Sequence, residues 1–325
     1  MASVWAVAEL ADGQPTRLTL ELATLAATLA TDAGGEATVV LVGGDSAAAA
    51  TIAAYGPAIV AVDTPATDVP MAATVATSVA TLIDERHPDI VLVGATPDGK
   101  DVAGSVLGLT DLPVLVAASL VRFDSTTLTV QMSTFGGRLV TTSSFDGGRG
   151  IIIVRPGAIA AVPASQPGAV EHVSVALKHQ LPAATVVDQV AESAAGPSID
   201  DARVIVGAGR GIGGPDGLGV IAELADALGG AVGATRAAVD SGWIDFGQQI
   251  GQTGKTVKPD LYVACGVSGA IQHKVGIQSA GTIVAINKDV DAPIAEFADV
   301  LVVGDLFEVV PRLTAALRDR ATDGS

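Results

Sequence analysis

A two-domain α/β protein is the architecture this sequence predicts, and three observations predict it. The chain has 325 residues, about twice the ~150 of an average domain. Short, almost wholly apolar runs alternate with longer Ala-rich stretches in two separate regions. That pattern fits parallel strands whose faces are both covered by helices. Between the two regions lies the polar, Gly- and Pro-containing segment Glu192 to Pro197. It sets the expected boundary, with one domain over 1–195 and a second over 196–325.

In the first region, strands are expected at Val4 to Ala8, Ala37 to Val42, Ala58 to Val62 and Asp89 to Val93. Helices fall between them at about Arg17 to Thr31, from Asp45 or Ser46 to Ala53, and from Val69 to Arg86. Gly34-Gly35 stops the first helix, because glycine accepts the left-handed conformation of a helix end. The pattern then turns β-rich at Val114 to Phe123, Thr127 to Phe135, Arg138 to Phe145 and Gly150 to Arg155. Turns are expected at Asp124-Ser125, Gly136-Gly137 and Gly147-Gly148. With no helices between them, these strands read as an antiparallel extension of a mostly parallel sheet. The second region resumes the alternation with strands at Arg203 to Val206, Ala231 to Ala234, Leu261 to Cys265, Thr282 to Ile286 and Val300 to Val303. Helices are expected from Asp216 to Leu228 and from about Leu306 to Arg320. This half reads as a Rossmann-like parallel α/β domain.

Composition narrows the function. Hydrophobic residues make up 49% of the chain and charged residues 16%, enough apolar material for two buried cores. Aromatics are only 3%, so those cores are built from Ala, Val, Leu and Ile. A formal net charge of −17 repels phosphate backbones and anionic lipid, which argues against nucleic-acid and membrane partners. No apolar run approaches the ~20 residues of a spanning helix. The first residues reach Glu9 and Asp12 without a basic flank or a long apolar stretch, so no targeting peptide is expected and the expected location is cytoplasmic. The lone Cys265 excludes an internal disulfide and a cysteine-ligated cluster. No His/Asp/Glu group has metal-ligand spacing.

Chemistry-bearing residues gather at strand ends in the second half. Gly209, Gly211 and Gly214 fit G-x-G-x-x-G between a strand and a helix, which lets a backbone approach a diphosphate; Arg210 favours an anion there. The alternative is a tight turn without a ligand. The acidic residue that would bind an NAD ribose about 20 positions on is replaced by Thr235 and Arg236. Gly251-Gln-Thr-Gly-Lys-Thr256 ends like a phosphate-binding P-loop, but Gln249 stands where that pattern needs glycine, so the P-loop reading fails. What remains is a donor-rich turn, or simply a solvated loop. After the strand ending at Cys265, Ser268 is placed to cap a new helix, with Gln272 and His273 one turn in. His273 is either structural or turned toward the same crevice. Asn287 is placed to meet a base or ribose edge. Asp305 either accepts from ribose hydroxyls or caps the final helix. Cys265 reads as a small buried hydrophobe.

These segments also carry a family resemblance. Gly-Arg-Gly at 209–211, Val-Gly-Ala-Thr-Arg-Ala-Ala-Val-Asp at 232–240 and Gln-Ile-Gly-Gln-Thr-Gly-Lys at 249–255 come first. Val-Ser-Gly-Ala-Ile-Gln-His at 267–273, Ile-Val-Ala-Ile-Asn-Lys-Asp at 283–289 and Asp-Leu-Phe-Glu-Val-Val-Pro at 305–311 follow. In order and spacing they resemble the FAD-binding domain of the electron transfer flavoprotein alpha subunit, also called FixB. The first half resembles the family through Val-Leu-Val-Gly-Ala-Thr at 91–96 and Arg-Pro-Gly-Ala at 155–158.

The resemblance implies a heterodimer in which this chain carries FAD and a beta subunit, contacted by the N-terminal domain, holds AMP. It implies an electron carrier rather than an enzyme. Electrons would come from flavoprotein dehydrogenases, such as the acyl-CoA dehydrogenases of fatty acid β-oxidation, and pass to a membrane-linked quinone oxidoreductase. The FAD contacts it implies are Arg210, Thr235, Arg236, Gly251, Gln252, Thr253, Ser268, Gly269, Ala270, Ile271, Gln272, His273, Asn287, Asp305 and Leu306. At Thr235 many members have Ser; the hydroxyl is kept.

The implied roles follow flavin chemistry. Reduction places negative charge near N1 and the C2 carbonyl, where a cation or donor stabilises it. His273 is the candidate there, with Arg236 beside the ring and Thr253 on N5. Ser268 and the amides of Gly269 and Ala270 would hold the diphosphate, and Asn287 and Asp305 the adenosine end. Domain motion is expected at a hinge near Gly196-Pro197. Two other readings stand beside this one: a bifurcating or quinone-linked member with a second flavin in the beta subunit, and an NAD(P)-dependent oxidoreductase with Arg236 on a 2′-phosphate.

Overall fold

The computed structural model describes residues 2–63, 71–124, 127–134, 139–179, 181, 198–200 and 202–323. Its contacts divide the chain into two compact units, residues 1–189 and 190–325. The expected boundary at 195/196 and the expected hinge at Gly196-Pro197 lie outside the described residues, as do the turn residues Ser125 and Gly136-Gly137.

In the first unit the strands and helices are β1 (Ser3–Val7), β2 (Leu10–Ala11), β3 (Gln14–Pro15), α1 (Arg17–Asp32), β4 (Glu36–Val42), α2 (Ser46–Ala53), β5 (Ala58–Val62), α3 (Met71–Arg86), β6 (Ile90–Gly94) and α4 (Pro97–Thr110). Five more strands follow: β7 (Val114–Asp124), β8 (Thr127–Thr134), β9 (Leu139–Ser143), β10 (Gly150–Val154) and β11 (Val170–Val173). Apart from a β2–β3 hairpin, they form one sheet in the order β11-β5-β4-β1-β6-β10-β7-β8-β9. Alternation along each strand explains why the runs are apolar throughout. Val4, Ala6, Val39 and Leu41 pack with α1 and α2 through Leu22, Leu29 and Ile52. Their neighbours Trp5, Val7, Val40 and Val42 pack the other way, on Val75, Val79 and Leu82 of α3 and Val102 of α4. Each such fully buried Val, Leu or Ile contributes roughly 1.5–3 kcal/mol of burial free energy.

Helix ends follow the sequence signals. Asp45, not Ser46, caps α2, its Oδ1 accepting from the Ala48 N–H at 2.7 Å. Gly34 takes φ +62° beyond α1, and the Gly35 N–H returns to the Ala30 carbonyl, as a glycine stop requires.

Three differences from the sequence reading stand out. Gly150–Val154 is not part of the antiparallel extension: it lies between β6 and β7 and is parallel to both. Among the described residues, only the β7–β8 and β8–β9 pairs of this sheet are antiparallel. The edge strand β11, parallel to β5, escapes the apolar-run criterion because Val170, Glu171 and His172 are exposed. Helix α4 was hidden by Gly99, Gly104 and Gly108. Its start is nevertheless written in Thr96-Pro97, a capping hydroxyl that accepts from the Gly99 N–H at 2.9 Å followed by proline in the first turn.

The second unit has β12 (Val204–Ala208), α5 (Gly217–Ala227), β13 (Ala231–Thr235), α6 (Arg236–Asp240), β14 (Gln249–Ile250), β15 (Leu261–Cys265), α7 (Ile271–Ile277), β16 (Thr282–Asn287), β17 (Val300–Val303) and α8 (Leu306–Asp323). All six strands pair in parallel, in the order β14-β13-β12-β15-β16-β17. One face packs Ile205, Tyr262, Ala264 and Ile283 with Ile277 of α7. The other packs Val206, Val263, Cys265 and Ile286 with Leu224 of α5 and Val310 of α8. Among the described residues, no helix is long and apolar enough to cross a membrane.

Candidate functional site

The topology of the second sheet fixes where a ligand can bind. From β12 the chain adds β13 and β14 on one side, then crosses back to add β15, β16 and β17 on the other. The strand order therefore reverses between β12 and β15, and the loops leaving their C-terminal ends diverge. A crevice at that point is the general ligand site of open parallel sheets. Here it is a cleft of about 720 Å³, inside the roughly 300–1,000 Å³ of small-molecule sites.

Loops from five strand ends wall it. Arg210 and Gly211 follow β12; Thr235 ends β13, with Arg236, Ala237 and Asp240 after it; Ile250 ends β14, with Gly251 to Thr253 after it. Gly266, Val267, Ser268, Ala270, Gln272 and His273 follow β15, and Asn287 ends β16, with Lys288 and Asp289 after it. In a chain of net charge −17, the cleft gathers three cations, Arg210, Arg236 and Lys288, against two carboxylates, Asp240 and Asp289. That local balance favours an anion.

Glycine lets the first two loops meet. A Cβ on Gly209 would lie 2.2 Å from the Gly266 carbonyl oxygen, and one on Gly211 would lie 2.7 Å from the Gly266 Cα. The Gly209 N–H donates to the Cys265 carbonyl at 2.9 Å and the Gly211 N–H to the Gly266 carbonyl at 3.0 Å. At Gly214, the third glycine of the fingerprint, an added Cβ meets nothing within 4 Å.

The loop after β14 is fastened to α7. The Gln252 N–H donates to the Gln272 carbonyl at 2.7 Å. Gly251 takes φ +143° with its Cβ position 2.9 Å from the same carbonyl oxygen, and a Cβ on Gly276 would lie 2.5 Å from the Gly251 nitrogen. Inside this loop the buried Gln249 donates from Nε2 to the Thr253 carbonyl at 2.9 Å and to Thr253 Oγ1 at 3.1 Å.

His273 is 6% exposed and both its ring nitrogens are engaged. Nδ1 faces the Ile250 carbonyl at 3.0 Å, which can only accept, so Nδ1 carries the proton. Nε2 is left to accept from the Tyr262 hydroxyl at 2.9 Å. Burial pushes the imidazole down to about 4, so the ring is neutral at pH 7. This corrects the expectation that His273 offers a cation or a free donor. The charge along this wall belongs to Arg236, whose Nε meets Asp240 at 3.1 Å in an exposed i,i+4 pair. Such pairs are worth only a few tenths of a kcal/mol, so the guanidinium is available to a ligand. Burial likewise pushes the Cys265 thiol up to about 12, which removes it as a nucleophile.

Other expected residues have other duties. Ser268 does not cap α7: the cap position is Ala270, without a side-chain hydrogen bond, and Ser268 instead uses its carbonyl to accept from the Ile294 N–H. Asn287 spends its side chain on the protein, Nδ2 donating to the Val267 carbonyl and Oδ1 accepting from the Asp289 N–H. It lines the cleft while tying the β15 and β16 ends together. Gly269, Ile271, Asp305 and Leu306 are not among the cleft walls. Gly269, at φ +83°, packs on the Ile294 backbone, Ile271 is exposed and Leu306 is buried in the core. Asp305 caps α8, its Oδ1 accepting from the Phe307 N–H at 2.8 Å.

Sequence reasoning missed Tyr262 and Gln249, because neither spacing nor residue type marks a buried polar side chain that supports a loop. One wall atom stands unsatisfied: Thr235 Oγ1 is buried without a hydrogen-bond partner. Leaving such a group unpaired costs ~1–3 kcal/mol. Thr235→Val is therefore expected to leave the ligand-free protein no less stable in urea titrations, yet to weaken the cleft's ligand about tenfold, the worth of one hydrogen bond.

Residues 198–278 match the family described as the electron transfer flavoprotein FAD-binding domain, and residues 4–178 match the electron transfer flavoprotein domain. A relative from Mycobacterium leprae (strain TN), an electron transfer flavoprotein subunit alpha, is 40% identical over 326 residues, spanning 98% of this chain and 99% of its own. The protein of the same name from Thermoanaerobacterium thermosaccharolyticum is 37% identical over 97% of each chain. Protein FixB from Clostridium saccharobutylicum is 39% identical over 73% of this chain and 72% of its own.

Proposed function

Because the chain belongs to the electron transfer flavoprotein family, on the alpha-subunit side, we propose that its cleft holds FAD and that it works as an electron carrier. The observation that carries this reading is the set of loops at the reversal of strand order, with the unpaired Thr235 hydroxyl among them. The residues fit the group. The Gly209–Gly211 turn and the Gly266 loop bring bare backbone against the cleft, as a diphosphate needs. Arg210 and Lys288 supply charge for its phosphates. Thr235 offers a hydroxyl without a partner, and Arg236 a guanidinium beside the ring. Bound FAD supplies the chemistry of taking up two electrons and releasing them singly.

The protein's part is to bind, orient and bias. The Arg236 guanidinium would favour added negative charge on a bound ring. The Thr253 hydroxyl, at the open side of its loop, is the donor proposed for ring N5. Gly251, Gln252, Ser268, Ala270, Gln272, His273 and Asn287 complete the walls. His273 contributes a neutral ring edge. Gly269, Asp305 and Leu306 support from behind.

The finer proposal follows the family resemblance of the sequence. A beta subunit completes the heterodimer through the first unit and carries AMP, with acyl-CoA dehydrogenases and similar flavoproteins as donors. A quinone-linked oxidoreductase is the acceptor. The test is co-expression with a beta subunit. The purified pair is expected to be yellow and to hold one FAD and one AMP; a second flavin in place of AMP would assign the bifurcating type, and a colourless pair that takes up no FAD overturns the proposal. Arg236→Ala is expected to lower the first one-electron potential by tens of millivolts, about 59 mV being tenfold for one electron. An unchanged potential removes Arg236 from that role.

A further inference from the structure

The strand reversal accounts for where the cleft lies, but not for how a threonine in an exposed loop acquires a fixed hydroxyl direction. The cause lies beneath it. Gln249 is 2% exposed and the Gly251–Lys255 loop is wrapped around it. Its carbonyl accepts from the Lys255 N–H at 2.7 Å, and a Cβ on Gly254 would lie 2.3 Å from that carbonyl oxygen and 2.9 Å from the Gln249 Cγ. The side-chain end that meets Thr253 faces the Thr253 carbonyl at 2.9 Å and Oγ1 at 3.1 Å.

A carbonyl oxygen only accepts, so the amide must present NH₂ to Thr253 and not its own oxygen. Thr253 Oγ1 therefore receives a hydrogen from below. A hydroxyl has one hydrogen of its own, and with Gln249 holding the oxygen as an acceptor, that hydrogen is left for a different partner. Thr253 lines the cleft, so the cleft is where the proton goes.

We infer that Gln249 is a positioning residue: its buried amide polarises the Thr253 hydroxyl into a one-way donor, aimed at an acceptor atom on a flat heterocyclic ring in the cleft. This rests on the reading of the cleft as a flavin site and adds the direction of one hydrogen bond to it. A chain of two donors also strengthens the outer bond, since accepting a hydrogen makes a hydroxyl a better donor. Gln249→Glu reverses the logic. A carboxylate accepts only, so it draws the Thr253 proton inward and leaves the ring facing a lone pair. Gln249→Met removes the amide donor at similar volume and without charge.

The experiment uses the heterodimer with its beta subunit, reading FAD content, the ¹⁵N shift of flavin N5 and the first one-electron potential. Gln249→Met is expected to retain FAD, to move the N5 shift toward that of Thr253→Val and to lower the equilibrium for the first electron about tenfold, as loss of one hydrogen bond would. The Gln249→Met/Thr253→Val pair is expected to behave like Thr253→Val alone, because one residue acts through the other. Gln249→Glu is expected to fall at least as far as Gln249→Met. Additive effects, or an unmoved N5 shift in Gln249→Met with FAD bound, overturn the inference and leave the flavin site standing. Failure of both variants to fold places Gln249 in the scaffold and overturns it too. A wild-type pair that takes up no FAD overturns the reading of the cleft, and this inference with it.

Discussion

Acidification from pH 7 to pH 4 is expected to cost the second unit roughly 3 kcal/mol of folding stability through one imidazole, His273. An unfolded histidine takes a proton near its ordinary 6.5, whereas burial holds the folded His273 at about 4. Between those values the unfolded chain binds the extra proton and the native one does not. Stability is therefore complete above about 6.5 and is lost progressively as the pH falls. Protonation would also force Nε2 to donate toward Tyr262, whose own hydroxyl is turned to it across 2.9 Å. Urea unfolding at stepped pH measures the effect, with His273→Gln as the reference that cannot titrate. The wild type is expected to lose more stability than the variant over this window. Parallel pH profiles would mean that the imidazole is not held neutral. The variant subtracts the many carboxylates common to both proteins.

A large effect of a single side chain on both stability and ligand uptake is expected at Gly209. Its φ of −93° is open to any residue, so the obstacle is space. A Cβ there meets the Gly266 carbonyl oxygen at 2.2 Å, the carbonyl carbon at 2.5 Å and the Val267 Cα at 2.6 Å. All three are backbone atoms that no rotamer change can move aside. Gly209→Val is expected to push the β12 and β15 loops apart, costing about 3 kcal/mol, the upper range of overpacking. Flavin uptake should drop at least a hundredfold. Gly214→Ala serves as the control, since open space surrounds that position, and is expected to change neither. Equal behaviour of the two variants in denaturant and flavin titrations would refute the packing argument.

That contrast shows where the sequence was legible and where it stopped. The fingerprint treats Gly209, Gly211 and Gly214 alike, but only the first two lie where another backbone passes. Parallel sheets were readable because burial on both faces makes each strand apolar throughout. By the same token, β10 was misassigned: an apolar strand among hairpins looks like its neighbours, and only its long-range pairing with β6 and β7 separates it. Helix α4 was missed because Gly99, a poor helix former, is required where a Cβ would strike the Gly94 carbonyl at 2.1 Å.

Arg210, Gln252, Thr253, Gln272, His273 and Asn287 were legible because they sit at strand ends, where topology sends ligand-facing loops, whereas Thr235, Gly251 and Ala270 came only through the family resemblance. Their hydrogen-bond partners were not legible. Asp305 and Asn287 have side chains suited to ribose, and both are spent on backbone groups. Gln249, the residue that breaks the P-loop pattern, organises the loop which that pattern seemed to describe.

The two-residue strand β14 has a kinetic consequence. It hangs on the sheet margin through Ala234 and Thr235, yet Ile250 anchors His273 and Gln249 anchors Thr253. Fraying of this stub would dismantle one wall of the cavity while the central strands stayed intact. A group held in the cleft would then leave at the margin's opening rate, even from a protein that resists global melting.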